Sequence, residues 1–478
     1  MTTSQRRRTV GRAVLRRNST FSGGPTLSTA PENAAASGAH GEGVLRPSSQ
    51  GRATAGRSLA WAVVLLVAAG VLVNVHLAVL ARVLSEAEYG RFITFVSIVL
   101  LLSFGGFLPI EQEMARQFQT GHPGREVFRS NALVAGGIAC VAAALVAGLV
   151  PWLVPSLADP QIMVALLGVC LVSVVQYLVR GTLVGTGRLP THGMVVLGDA
   201  ALRLGFAALV VLVTAEGAGA GGYALALVAA IAGAHLPVLV WAHRLAGREP
   251  GRVQVGSSTR QTSQLVGHLI AGSISSQILL NAPPILVAAI ATSGEADLVG
   301  RFAATYTLAR LLLFIAVPMQ GALVPIFTRA MADGRRRDRR LLALRISLGG
   351  LASALLGATV AWVAGPWVIE IVFGARYALE ARDVALMVAG AMLYLGLLVA
   401  AQALIGADRH RHVGLSWTLG LLSSAAVFIT VPGLVLRAEL AFAAGSFVGL
   451  LVAIASLWRS TSRPEASSTP LPAAEERS

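Results

Sequence analysis

The chain has 478 residues, of which 55% are apolar and 13% charged, with a mean hydropathy of +0.70. Apolar runs of 18 residues or more recur along it, each long enough to cross ~30 Å of hydrocarbon, so the protein reads as polytopic in the membrane and not as a soluble domain. The formal charge of +15 would suggest nucleic acid in a soluble protein, but every one of the 38 basic residues is Arg; we read this as a coding bias and expect no nucleic-acid partner. Cys140 and Cys170 both fall inside apolar runs, fit no disulfide framework or metal-ligand spacing, and read as small hydrophobic fillers.

Residues 1–57 are rich in Arg, Ser, Gly and Ala without periodicity and read as a disordered basic cytoplasmic tail. Arg6 to Arg8 and Arg16–Arg17 read either as charge that simply keeps the N-terminus in the cytoplasm or as contacts to anionic lipid head groups. Twelve spans follow, at 59–81, 92–110, 131–154, 161–179, 193–213, 222–242, 264–290, 302–327, 341–369, 384–405, 413–431 and 438–457. The odd-to-even loops carry six arginines together, whereas the even-to-odd loops and tails carry 29. Positive charge stays inside, which puts both termini in the cytoplasm of a cytoplasmic-membrane protein. No external loop exceeds 14 residues on these bounds, which leaves no room for an outer catalytic domain.

The stretch 243–263 has the composition of a linker between a half at 58–242 and a half at 264–458, with a second cytoplasmic tail at 459–478. An internal repeat supports this division. EAEYGRF (Glu86 to Phe92) recurs as EADLVGRF (Glu295 to Phe302), and LVGTGR (Leu183 to Arg188) recurs as LIGADR (Leu404 to Arg409). Each match pairs a loop with the loop six spans on, which argues for two six-helix halves of the same orientation with a substrate site between them.

Enzyme constellations are absent from the sequence: there is no Walker motif, zinc spacing or nucleophile elbow, so we expect no catalytic residues, metal or cofactor. The polar residues inside the spans carry the functional signal. Asp199 and Arg203 stand at i and i+4 on the fifth span, Arg203 about 15 Å from its inner end. They read either as a cavity-lining pair, with Asp199 exchanging a proton or cation, or as a self-neutralised structural pair. Arg310 lies about 12 Å inside a helix begun at Phe302 and has no acid one turn away; a guanidinium so placed wants a partner from another helix or an anionic ligand such as phosphate. Asn74 and His76 are polar on the first span; His268, Ser273, Ser275, Ser276, Gln277 and Asn281 are polar on the seventh. Pro283–Pro284 should kink or loosen that seventh helix, and Pro318, Gln320 and Pro325 repeat the pattern on the eighth. Acids within the spans amount to little beyond Asp199.

Four stretches carry a family resemblance: LARVLSEAEYGRFITF (Leu80 to Phe95), QEMAR (Gln112 to Arg116), YTLARLLLFIAVPMQGALVPIFTR (Tyr306 to Arg329) and the run Phe373 to Arg409. They resemble the polysaccharide flippases of O-antigen and teichoic-acid type, within the multidrug/oligosaccharidyl-lipid/polysaccharide (MOP) exporter superfamily. The resemblance covers roughly 59–458. It implies an all-α integral membrane fold, a MATE-like V of two parallel six-helix repeats. It also implies a cationic cavity for a polyprenyl-diphosphate-linked oligosaccharide, driven by proton or sodium coupling. Arg310 occupies the arginine position of YTLAR and would bind the diphosphate; from their place in the spans, Arg203, Asn74, Gln277, Asn281 and Gln320 read as further substrate contacts or as residues that cement helix packing. The first span departs from the pattern in lacking an arginine. The competing readings are a cation-coupled exporter of amphiphilic drugs on the same fold, a membrane polysaccharide polymerase or ligase, and a non-transporting scaffold.

Overall fold

A computed structural model describes the backbone of residues 49–214, 217–251, 258–331 and 336–459; the side chains of 49–56 and most of those between 312 and 339 lie outside that description. Of the expected disordered tail 1–57, residues 1–48 lie outside the described residues and 49–57 are instead the first turns of α1; residue 460 onward also lies outside. Twelve long helices appear among the described residues: α1 (Ser49–Val83), α2 (Glu86–Gln119), α3 (Gly124–Leu153), α4 (Pro160–Gly185), α5 (Leu189–Val213), α6 (Ala220–Ala246), α7 (Thr259–Ile290), α8 (Ala296–Met331), α9 (Arg336–Val372), α10 (Ala381–Gly406), α11 (His410–Thr430) and α12 (Leu434–Trp458). Eleven of them are long and apolar enough to span a bilayer, and α8 is itself 36 residues long. The protein is an all-helical, multi-pass membrane protein.

Helix pairing repeats with a period of six. In the first half α4 packs on α6, α5 on α6, α3 on α4 and α2 on α4; in the second α10 packs on α12, α11 on α12, α9 on α10 and α8 on α10. Both sequence repeats have a structural counterpart. After α4, Gly187 adopts φ +74° while Arg188 N donates to Leu183 O (2.8 Å) and Gly187 N to Val184 O (3.1 Å). After α10, Asp408 adopts φ 56° with Arg409 N to Leu404 O (2.9 Å) and Asp408 N to Ile405 O (2.9 Å). Each helix thus ends in the same left-handed cap, built on Gly in one half and on Asp, which tolerates that region, in the other.

The other repeat joins the halves. α2 and α8 cross where Gly90 meets Gly300: a Cβ on Gly90 would lie 2.9 Å from Gly300 N, and one on Gly300 would lie 2.0 Å from Glu86 O. Small residues let backbones approach this closely. The same end, bearing the arginine-poor loops, is tied further by Arg376, which donates to Ala81 O (2.7 Å) and Leu84 O (2.6 Å), and by Arg82, which donates to Ile371 O. Tyr89 packs edge-on against Tyr377 at 5.2 Å beneath them. At the opposite, arginine-rich end, Gln117 on α2 donates to Thr262 on α7 (3.1 Å).

Several helices run well past their apolar segments at the arginine-rich end. α2 continues from 110 to 119 and α4 from 179 to 185, because polar residues there are buried by neighbours instead of being released to a loop. The linker region is likewise partly helical, α6 ending at Ala246 and α7 starting at Thr259. α7 stays helical through Pro283–Pro284. Proline at 284 leaves the Leu280 carbonyl without its i+4 donor, and the Tyr306 hydroxyl of α8 donates to it at 2.7 Å. Tyr306→Phe is therefore expected to leave a buried carbonyl unsatisfied at a cost of about 1–3 kcal/mol. Thermal unfolding of the purified variant checks this, and an unchanged midpoint would show that the carbonyl finds another donor.

Candidate functional site

Two groups of buried polar residues occupy the interior, one in each half. The first centres on Arg310, which is 3% exposed. One guanidinium nitrogen donates to Asn281 Oδ1 on α7 at 3.2 Å, and the guanidinium carbon sits 4.9 Å from the centroid of the Tyr306 ring. Its Nε has no hydrogen-bond partner, and among the described residues no carboxylate stands within ion-pair distance. Asn281 is positioned in turn by donating to the Gln277 carbonyl (3.0 Å) and side-chain Oε1 (3.3 Å). Tyr89 of α2 approaches Arg310 and Thr307 from the other half. Arg310, Asn281 and Gln277, three residues the sequence singles out, thus come together at the seam between halves. Gln277 also borders a five-residue π-helical stretch in α2, Ser103–Phe107, where a Cβ on Gly105 would lie 3.6 Å from Gln277 Cβ. Such bulges re-aim a helix and concentrate at functional sites.

The second group lies within the first half. The Asp199–Arg203 pair forms as the i,i+4 spacing requires, with contacts of 2.7 and 3.3 Å. Beside it, Arg180 on α4 approaches Glu111 on α2 at 3.0 Å, and His192 Nε2 lies 3.6 Å from the same carboxylate. His235 and His76 complete the group electrostatically. His76 is 2% exposed and neither of its ring nitrogens has a hydrogen-bond partner. Asn74, two residues earlier on α1, donates to the Gly70 carbonyl of its own helix (2.8 Å). Gln320 lies among the side chains outside the described residues.

Glu111, paired with Arg180, corrects the expectation that interior acids amount to little beyond Asp199. Both sit just past the apolar runs, at the first positions that a hydropathy reading assigns to loops, yet the helices continue around them. Asp383 (6% exposed) and Glu439 (1% exposed) are buried acids in the second half, and Glu439 lies inside the last apolar run. An ion pair buried this deeply is costly to break from one side. Glu111→Gln and Arg180→Met singly are each expected to cost about 3–5 kcal/mol, and the double variant less than either. Melting temperatures of the three purified variants would show this ordering; a double variant that melts lowest would mean that the pair is not a unit.

Comparisons with known proteins place the architecture. No profile of a known protein family matches the chain. An uncharacterized protein of Mycobacterium tuberculosis (strain ATCC 25618 / H37Rv) is 29% identical over 341 residues, 68% of this chain and 74% of its own length. A second one is 27% identical over 284 residues, 58% and 62% of the two chains. Among solved structures, the inward-facing conformation of a multidrug resistance MATE family transporter of the MOP superfamily superposes with a TM-score of 0.58 at 14% identity, over 81% of this chain and 93% of that one. The bent form of the Vibrio cholerae MATE transporter VcmN gives 0.53 at 16% identity, over 85% and 97%.

The fold is that of the MATE transporters. Within this MATE fold the Asp199–Arg203 group lies in the first six-helix half, and the Arg310 group, carried by α7 and α8 of the second, meets Tyr89 of α2 where the halves adjoin. At the arginine-rich end a cavity of about 330 Å³ opens between α2 and α7, lined by Arg116, Gln117, His122, Gln261, Gln264 and His268. Arg116 is neutralised there by two 2.7 Å hydrogen bonds to Glu113.

Proposed function

We propose that the protein is an alternating-access flippase that moves a polyprenyl-diphosphate-linked oligosaccharide from the inner to the outer leaflet of the cytoplasmic membrane for cell-surface polysaccharide synthesis. The observation that carries this reading is Arg310: a buried cation between the halves, held by an amide and a ring but by no carboxylate. A cation at membrane depth costs about 2.5–3.5 kcal/mol on insertion scales, and an anionic cargo would offset that cost. A planar guanidinium matches a diphosphate because its donors form a fork and its charge does not titrate. Asn281 and Gln277 supply neutral hydrogen-bonding groups beside it. In the orientation that the arginine distribution favours, the end closed by Gly90, Gly300 and Arg376 faces outward, and the cavity between α2 and α7 faces the cytoplasm where the lipid-linked glycan is made. The Asp199–Arg203 pair, with the histidines around it, is the first-half group we assign to ion coupling.

A deletion strain tests the reading directly. Loss of the protein should leave the lipid-linked glycan in the inner leaflet, where a membrane-impermeant glycan-binding probe cannot reach it, and the wild-type chain should restore labelling. The second reading, a cation-coupled exporter of amphiphiles, draws support from the buried acids Glu439 and Asp383 and from the multidrug transporter that shares the fold. It gains ground if deletion leaves surface glycan unchanged and instead raises sensitivity to cationic amphiphiles.

A further inference from the structure

Among the described residues, Glu439 is the one acid with both carboxyl oxygens buried and without a hydrogen-bond partner. It lies on α12, about 8 Å from the arginine-poor end of that helix. It is 1% exposed, and neither carboxyl oxygen has a hydrogen-bond partner. A carboxylate stripped of water and of donors is disfavoured, whereas the neutral acid is tolerated.

The charged groups around it set its behaviour. From α10, Asp383 and Arg382 face it. Asp383 is itself satisfied by two hydrogen bonds from Arg382, at 2.9 and 3.1 Å, so it presents a negative charge to Glu439 without lending it a donor. On α12 itself, Arg437 donates to the Gly433 carbonyl (3.0 Å) and lies over the Phe428 ring (5.7 Å). From α9 the acid at this end is Glu370, which is exposed. α7 and α11 bring no titratable residue to this level of the bundle. One turn further into the membrane on α12, Phe442 packs edge-on against Tyr306 (5.4 Å), the ring that carries Arg310.

We propose that Glu439 is a proton-exchange site of the second half, binding a proton from the aqueous phase at the arginine-poor end and releasing it during the transport cycle, with Asp383 as the neighbouring charge that favours uptake. The step is a simple acid–base equilibrium, carboxylate plus proton giving the carboxylic acid. Phe442 and Tyr306 form the packed path by which the state of Glu439 reaches Arg310. This deepens the transporter reading, and only its coupling to cargo rests on that reading; proton binding does not.

The test is infrared spectroscopy of the full chain in lipid nanodiscs, following the protonated-carboxyl C=O band from about pH 5 to about pH 9. The expected result is a band that fades as pH rises, is missing in Glu439→Gln, and shifts its midpoint to lower pH in Asp383→Asn. The direction follows because removing an adjacent negative charge makes ionised Glu439 less costly. Size-exclusion profiles of both variants confirm that they fold. No difference between wild type and Glu439→Gln overturns the site, and so does a Glu439 band that persists across the whole range, since that acid never exchanges. An unchanged midpoint in Asp383→Asn overturns the part assigned to Asp383. The band is read without cargo, so its loss in Glu439→Gln supports the site even if glycan export proves independent of the protein, and its absence overturns the site even if export does not.

Discussion

Arg310→Ala is expected to reach the membrane at wild-type levels and to leave the lipid-linked glycan in the inner leaflet, while Arg310→Lys restores export in part. Removing the guanidinium takes away charge-assisted hydrogen bonds worth about 1.5–3 kcal/mol each. Loss of two of them would weaken cargo engagement by about a hundredfold or more. Lysine keeps the charge but not the fork, and its ammonium is a point donor where the diphosphate offers paired oxygens. Lysine also lacks the planar face that lies over Tyr306. Because Arg310 forms no ion pair among the described residues, the alanine variant strands no carboxylate, and the fold should tolerate it. That separates this position from Arg203, whose removal leaves the Asp199 carboxylate without its 2.7 Å partner and should lower stability as well as export. Complementation of the deletion strain with each variant, read against membrane expression, settles the matter. Equal restoration of surface glycan by all of them would make the buried charge structural and would remove Arg310 from the site.

The second large effect is expected at the crossing of α2 and α8. Gly300→Ala would place a Cβ 2.0 Å from Glu86 O, a backbone atom that cannot rotate away. Gly90→Ala meets Gly300 N at 2.9 Å, a lesser conflict, and Gly294→Ala meets nothing within 4 Å. The expected order of destabilisation is therefore Gly300, then Gly90, then Gly294. The first should exceed the usual ~1–3 kcal/mol of overpacking, because both helices must separate. Two measurements read this: the melting temperature, and labelling of a cysteine placed at Ala81 by an impermeant maleimide, with Cys140 replaced by serine. Ala81 is fully buried beside this seam, so it should stay unlabelled in the parent and become reactive in Gly300→Ala. Equal labelling in both would mean that the glycine contact does not hold this end closed.

Arg310, Asn281 and the Asp199–Arg203 pair were legible because each interrupts an apolar run, and interruption is what hydropathy detects. Glu111 and Arg180 were not, because the run ends one residue before each of them. From one sequence, a helix that leaves the bilayer and a helix that continues among polar neighbours look alike. A helical period carried on through QEMAR would have been the signal: Glu111, Met114 and Ala115 share one face and all are buried. At Pro283–Pro284 the sequence is incomplete for a related reason. The local rule removes a donor, but the replacement, Tyr306, lies on another helix. The repeated glycine was visible as a pattern but not as a contact, since nothing in the spacing says that the two copies face each other.

That contact carries a consequence for how the chain can change. At Gly90 and Gly300 the chain touches its own duplicate, as a symmetric dimer touches itself across its axis. A side chain gained on either glycine meets bare backbone of the other copy. Either way the position is policed from both sides. Two halves that have otherwise diverged should keep their memory of a common ancestor longest at this one crossing.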